Sequence, residues 1–365
     1  MKITDVDVLR VDTPPASPPF HWRHGLPSSS RGGACAVLRV RTDHGPDGVA
    51  FSSRPGSAVV MTELVDRVLR EELVGRDPFA RELVWHRMWE LDRIEEFPLP
   101  LFGLVDIALW DFAGRYYDSP VWNLLGGVRE SIPAYASTST FRTVEEFLHV
   151  ADQALELGYR AIKLHAWGDA VADGRLAIAL REHVGDDIDL MYDGSAGFDL
   201  PDAIRLGHVL SDADFLWYEE PMREFSIGAY AQLASAVKVP LLVAETSDGV
   251  HMNSADFIRA GAATFGVRAS AILRGGITGS MRTAHMADAF QVRAEIHGSA
   301  VPNQHLAMAI SNTTYYESLV TSNPVRREAI VGADGLVRAP RHAGIALPAG
   351  LEYPTELESY AADAA

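Results

Sequence analysis

Residues 158–169 read GYRAIKLHAWGD. The run has the composition of a buried strand, yet Lys163 and His165 occupy its end, where Val or Ile would be usual. Two positions apart on a strand, they project to the same side. Ionisable groups at the end of an otherwise apolar strand ask for a fold that gathers strand ends into a mouth.

The rest of the chain repeats this unit. SIPAYAS, YRAIKLH, DIDLMYD, FLWYEE, PLLVAE, TFGVRAS and QVRAEIH alternate with helical segments such as TVEEFLHVADQALELG and GSMRTAHMADAFQ. Strand and helix alternating at this pitch predict βαβ units on a parallel sheet, and seven or eight of them close a barrel. No GxGxxG or GxxxxGKS/T run follows a strand, which argues against a nucleotide-binding doubly wound sheet.

The polar residues that interrupt the strands are Lys163, Asp193, Glu219, Glu245, Ser270, His297 and Glu317, spaced 30, 26, 26, 25, 27 and 20 residues apart. Each interval is about one βα unit, so each residue falls at the C-terminal end of a successive strand, the barrel face on which catalytic groups collect. Asp193, Glu219 and Glu245 then bring three carboxylates together. Three mutually repelling anions need a cation, and an all-oxygen set selects a hard ion such as Mg²⁺. Open positions on such an ion suit a carboxylate with an α-hydroxyl. Taken singly, each acid also reads as a helix cap or surface charge; Glu220, beside Glu219, reads as a supporting or surface residue.

Before the barrel, ITDVDVLRV and CAVLRVR read as strands, and AVVMTELVDRVLREELVG, ARELVWHRMWELDRI and FGLVDIALWDFAGRYYD as helices. This predicts a small α+β domain over residues 1–125, a barrel over 126–340, and a segment from 341 to 365 that returns to the first domain. The stretch from about 14 to 34, rich in Pro, Ser and Gly, is long for a connection and reads as a lid or a disordered loop. Trp110 and Asp111 fall in a helix, where packing accounts for them.

Composition narrows the function classes. Apolar residues make up 47 %, enough for a large core, and the net charge of −17 argues against nucleic acid and anionic membrane as partners. Cys35 is the single cysteine, so there is no internal disulfide and no cysteine-based zinc site. The opening MKITDVDVLR lacks an apolar signal segment and no run of 18 apolar residues occurs, so the expected place is the cytoplasm.

IALWDFAGRYYDSPVWNLLGG, YRAIKLH, LMYDG, WYEEP, VAE, RGGIT and AEIHG resemble the enolase superfamily in its mandelate-racemase branch. The resemblance implies a (β/α)₇β TIM-type barrel with an N-terminal α+β capping domain, Mg²⁺ held by Asp193, Glu219 and Glu245, and removal of the proton α to a metal-bound carboxylate. That proton is weakly acidic, so charge must be stabilised as it leaves, and superfamily sites use a Lys or His base with Mg²⁺ for this. Lys163 resembles the carboxylate-contacting lysine. His165 stands where a second lysine base is common, and an imidazole serves there without a large pKa change. His297 resembles the histidine on the opposite face of the substrate, but the aspartate that would pair with it is replaced by Ser270. This departure weakens a symmetric two-base racemase. Glu317 resembles the last-strand carboxylate that bonds the substrate when protonated, and reads equally as a salt-bridged Glu. Arg268 points the same way as Ser270, either toward substrate or as a structural guanidinium. HWRHG, with His21, Trp22, Arg23 and His24, resembles the lid that reads the far end of the substrate, and suits a polyhydroxylated acid. Asn303 and His305 lie close enough in sequence to line the mouth.

The expected function is a Mg²⁺-dependent acid sugar dehydratase acting on a small-molecule hydroxy acid, with a racemase, epimerase or cycloisomerase as one alternative and a non-catalytic acid-binding protein as another. The resemblance also implies a homo-oligomer.

Overall fold

The computed structural model describes residues 1–348 and residue 351. An antiparallel sheet opens the chain, built from β1 (Ile3–Thr13), β2 (Gly33–Thr42) and β3 (Gly48–Phe51) in that order. Alternation gives it two faces. Val6, Val8, Leu38 and Val40 join the main core, while Leu9, Val37 and Val49 form a separate cluster on the other side. Asp7, nearly buried, is neutralised by Arg39 at 2.6 Å and Arg41 at 2.5 Å. Helices Arg81–Glu95 and Leu99–Tyr116 complete the domain.

Leu99–Tyr116 is apolar on nearly every face because it lies between this sheet and the barrel. Asp106 accepts hydrogen bonds from the backbone N–H of Thr278 at 2.8 Å and from its hydroxyl at 2.5 Å, which ties the helix to the barrel. Asp111 takes the N–H groups of Val49 and Ile345, so packing and clamping account for it, as expected. At Gly103 a Cβ would lie 2.9 Å from the Gly276 nitrogen, and only glycine allows the helix so close.

Eight parallel strands follow: β4 (Ser131–Thr138), β5 (Ala161–His165), β6 (Asp189–Asp193), β7 (Trp217–Glu219), β8 (Leu241–Val243), β9 (Gly266–Ala269), β10 (Arg293–Ile296) and β11 (Tyr316–Val320). They pair in the order β11-β4-β5-β6-β7-β8-β9-β10, and β12 (Leu336–Arg338) adds antiparallel to the start of β4. Between β10 and β11 no ladder runs among the described residues. The segment between them bridges the seam instead: the Asn312 carbonyl accepts from Ala294 N–H at 3.0 Å, and the Thr314 hydroxyl donates to Glu295 at 2.8 Å. Helices return between the strands, several starting at side-chain caps: Thr143, Asp169, Asp199 and Ser226 each accept an N–H of the first turn. The chain is thus a (β/α)₇β barrel with an N-terminal α+β domain.

Inside the barrel, Tyr135, Ala161, Met191, Trp217 and Leu242 form an apolar plug. Two residues further along, inward positions become polar: Ser137, Lys163, Asp193 and Glu219. The period of two that fills the barrel also delivers the site.

The last described residues return to the first domain. Gly344 bridges Pro120, and Leu347 packs on Leu9, Val37 and Val49. The part of the predicted returning segment at 349–350 and 352–365 lies outside the described residues. No helix of the described chain is long and apolar enough to cross a membrane.

Candidate active site

Strand register sets the carboxylates side by side. His165 pairs with Asp193 and Asp193 with Glu219 across β5, β6 and β7, while Glu245 follows the end of β8. Asp193, Glu219 and Glu245 each offer an oxygen within 4.8 Å of the others, and all three are buried.

Cations surround them. Lys163 Nζ, with no exposed surface, lies 3.3 Å from Asp193 Oδ2, 2.9 Å from Glu219 Oε2 and 2.9 Å from Glu317 Oε1. Burial alone would lower its pKa; Glu219 and Glu317 override that and hold it well above the usual value, so the ammonium stays charged. His165 donates from Nδ1 to the Thr138 carbonyl at 2.9 Å, which turns Nε2 toward Asp193 Oδ2 at 3.0 Å. On the opposite side His297 Nε2 lies 3.1 Å from Glu245 Oε1. Its burial, which lowers the pKa, is outweighed by Glu245, so His297 is shifted upward. Asp193 and Glu245 move the other way: burial raises each, and His165 with Lys163 for Asp193, and His297 for Glu245, bring both below the ordinary carboxylate range.

Ser270 leaves its mark where the sequence placed it. His297 Nδ1 is buried and meets no partner among the described residues, and the Ser270 hydroxyl reaches only the Leu273 N–H, at 3.4 Å. The imidazole is therefore oriented from one side only.

For two residues the structure selects between the readings the sequence left open. Arg268 does not face a substrate. It has no exposed surface, binds both Glu219 oxygens, and gives its other donors to the Ile296 carbonyl at 2.7 Å and the Tyr135 hydroxyl at 3.1 Å. With all three nitrogens committed, it supports Glu219 from below. Glu317 is the salt-bridged Glu, 2.9 Å from Lys163, which outweighs burial and holds it well below the usual carboxylate range. It accepts from Ser137 Oγ at 2.8 Å and from Gly298 N–H at 2.7 Å.

The lid brings a further residue to the site. The residue it turns onto the site is Phe20, whose buried ring meets His165 edge-on at 5.1 Å. His21 pins the lid to the barrel rim, its N–H donating to Ser139 Oγ at 2.8 Å and its carbonyl accepting from Thr140 N–H at 2.8 Å. Trp22 is 37 % exposed and His24 is exposed as well, while Arg23 Nε donates to the Ser195 carbonyl at 3.0 Å. Trp22, Arg23 and His24 therefore stand outside the carboxylate cluster. A cavity of about 470 Å³ does border His297 and Ser270, between β3 and the ends of β9 and β10.

One supporting residue, Glu224, escaped the sequence reading. Glu224 accepts the N–H groups of Ala244, Thr246 (2.9 Å) and Ser247 (3.1 Å), the backbone on both sides of Glu245. Burial, reinforced by Glu245, pushes it to about 7 despite those bonds. Glu220 is buried too, bonded to Thr246 Oγ1 at 2.6 Å, and burial beside Glu245 lifts it well above the usual range. Asn303 joins β9 to β10, accepting from Ala271 N–H at 2.8 Å and donating to the His297 carbonyl at 2.6 Å, so it positions His297, and it also lines the cavity beside that residue. His305 turns away toward the Trp122 N–H at 3.2 Å, and burial lowers it to about 3. Nothing in the sequence marks Glu224, whose role passes through backbone groups.

The donor set fits a hard divalent cation. All three donors are carboxylates, and Glu245 Oε2 is buried with no hydrogen-bond partner among the described residues, which costs free energy unless a cation meets it.

Comparison with known proteins agrees with this geometry. The family described as "Enolase C-terminal domain-like" matches residues 146–349, and "Mandelate racemase / muconate lactonizing enzyme, N-terminal domain" matches residues 5–126. The crystal structure of D-glucarate dehydratase from Agrobacterium tumefaciens complexed with magnesium superposes with a TM-score of 0.82 at 30 % identity, over 94 % of this chain and 95 % of that one. The 3,6-anhydro-alpha-L-galactonate cycloisomerase of Streptomyces coelicolor is 28 % identical over 84 % of this chain and 87 % of its own. The L-talarate/galactarate dehydratase of Salmonella typhimurium is 26 % identical over 83 % and 77 %. Both matched families, the barrel and the buried carboxylate triad lead to one conclusion: the chain belongs to the enolase superfamily, in its mandelate racemase / muconate lactonizing enzyme branch.

Proposed function

We propose that this protein is a Mg²⁺-dependent dehydratase that removes the α-proton of a hydroxy acid of the sugar-acid class and expels the β-hydroxyl as water. The observation that carries this reading is the placement of Lys163 and His165 on one side of the Asp193, Glu219 and Glu245 triad and His297 on the other.

Asp193, Glu219 and Glu245 would hold the ion, which when bound supplies Lewis-acid stabilisation of the charge developing on a substrate carboxylate. Lys163, held cationic, adds a second positive charge beside those oxygens. With Lys163, the other candidate, assigned to the carboxylate oxygens, the role of base falls to His165. Its Nδ1–H is committed to the Thr138 carbonyl, which leaves Nε2 to take the α-proton. His297, on the opposite side of the triad, donates from Nε2 to the departing hydroxyl. The α-proton goes to His165, the hydroxyl leaves with a proton from His297, and the resulting enol tautomerises to a 2-keto-3-deoxy acid.

A second reading, cycloisomerisation of a related acid, is favoured by the similarity to the anhydrogalactonate cycloisomerase. Symmetric two-base racemisation is disfavoured, because nothing orients His297 Nδ1 among the described residues. The net charge of −17 supports small acids over polyanions as partners, and the same reading places the protein in the cytoplasm as a homo-oligomer.

The test is incubation with Mg²⁺ and a panel of aldonic and aldaric acids in D₂O. Keto-acid formation supports dehydration, whereas deuterium uptake without a keto acid moves the assignment to an epimerase or cycloisomerase. Ligand-induced thermal stabilisation with neither outcome marks a binder and overturns the enzymatic reading.

A further inference from the structure

Outside the lid seam formed by His21, Ser139 and Thr140 lies an open cavity of about 900 Å³. It belongs to neither the carboxylate cluster nor the cavity beside His297, and its charge opposes that of the chain as a whole. Arg23, Arg142 and Arg326 line it together with His21 and His24, against the single carboxylate of Glu146. The protein carries −17 overall, so three arginines around one cavity are a local reversal of its field.

The backbone that bears these cations is fixed. Arg23 is anchored through Nε to the Ser195 carbonyl at 3.0 Å. Arg142 donates its N–H to Glu146 at 2.7 Å, which engages the one nearby acid with backbone. The loop before Arg326 is pinned by Gln153, which accepts from Val325 N–H at 2.8 Å and donates to Asn323 Oδ1 at 3.0 Å. The guanidinium groups of Arg142 and Arg326 themselves meet no hydrogen-bond or ion-pair partner among the described residues. Guanidinium forks match carboxylates bidentately, and two unpaired forks on held segments suit an anion with more than one carboxylate.

We propose that this cavity is a second binding site, for a small multiply charged carboxylate, placed on the outer face of the lid. That its natural occupant is the substrate or product in transit rests on the function proposed above; the binding itself does not. An anion held there would sit beside the His21–Thr140 seam that the lid must release to open, so the site would concentrate acid at the entrance of a protein whose net charge repels it.

The probe is glutarate, a dicarboxylate without the α-hydroxyl needed for metal chelation, titrated calorimetrically into the metal-free protein at low salt. One site per chain is expected, at least tenfold weaker in the Arg142→Ala/Arg326→Ala double variant and weaker at 0.3 M salt for wild type. Both arginines are exposed and unpaired, so the double variant should melt with wild type. Glu219→Gln, altered in the carboxylate cluster, should bind glutarate normally. Absence of binding by wild type, binding untouched by the double substitution, or binding lost in Glu219→Gln would each overturn the proposal. Inorganic phosphate binding more tightly than glutarate at the same arginines would overturn the carboxylate assignment. For any acid that is turned over, the double variant should lower kcat/KM and leave kcat unchanged. Glutarate binding without any turnover of sugar acids would count against the proposed function and leave this site standing.

Discussion

Arg268→Met separates a supporting role from a substrate-binding one. The substitution keeps most of the side-chain volume but removes both bonds to Glu219 and those to the Ile296 carbonyl and the Tyr135 hydroxyl. Arg268 and Glu219 have no exposed surface, so water cannot replace the lost partners. Removing one member of a buried pair typically costs about 3–5 kcal/mol, mostly from the charge left behind. For cooperative unfolding of 365 residues at ~2.1 cal/mol/K per residue, the unfolding entropy is about 0.8 kcal/mol/K, so a loss near 4 kcal/mol lowers Tm by about 5 °C. Lys163, still 2.9 Å from Glu219, keeps the loss toward the low end. Saturating Mg²⁺ should restore part of it, since an ion on Glu219 supplies the missing positive charge. Calorimetric melts of both proteins, with and without Mg²⁺, provide the measurement. A variant that melts within 1 °C of wild type yet shows a raised KM for its acid would refute the reasoning and return Arg268 to the substrate.

Glu224→Gln should weaken Mg²⁺ binding by about tenfold, as outer-shell substitutions commonly do, because an amide cannot accept from N–H groups with both of its atoms and the loop carrying Glu245 loses a restraint. Mg²⁺-dependent thermal shifts would show it, and an unchanged midpoint would count against the role given to Glu224. Asp106, raised by burial from 3.8 to about 7, keeps its proton in the folded state over a range where the unfolded chain has released it. Stability therefore falls as pH rises from about 4 to 7, by at most about 4 kcal/mol from this group. Asp106→Asn, which retains an acceptor for Thr278, should flatten the fall in Tm between pH 5 and 8, and parallel profiles would rule Asp106 out as its source.

The sequence carries the fold in its period, and the site largely in the same signal. Seven strands read from alternation are present, and the eighth is β11, which bears Glu317. Asp193, Glu219 and Glu245 were legible because inward positions at strand ends recur once per βα unit. Arg268 shows where that reasoning stops. Alternation gives the side of a strand a residue faces but not its height in the barrel, and Arg268 lies buried against the Glu219 carboxylate. Register explains the difference: Glu219 pairs with Leu242, three residues before Glu245, so residues equivalent in sequence do not stand at equal depth. Phe20 was illegible for another reason. A lone aromatic in a Pro-rich loop has no period, and only the closed path of the chain shows that it covers His165.

Charge counting across the mouth links the buried lattice to the proposed reaction. Asp193, Glu219, Glu245 and Glu317 carry four negative charges when ionised, and Lys163 with Arg268 returns two. A pair of imidazolium ions could supply the rest, but then His165 would have no lone pair with which to accept a proton. One divalent ion supplies the same two charges and frees both rings. A monoanionic substrate then restores a single negative charge beside them, enough to hold one histidine protonated and not two. In the proposed reaction His297, across the site from His165, is the ring that keeps the proton. The balance leaves one base at His165 and one acid at His297 on opposite sides of the bound acid, the pair that the proposed elimination of water uses.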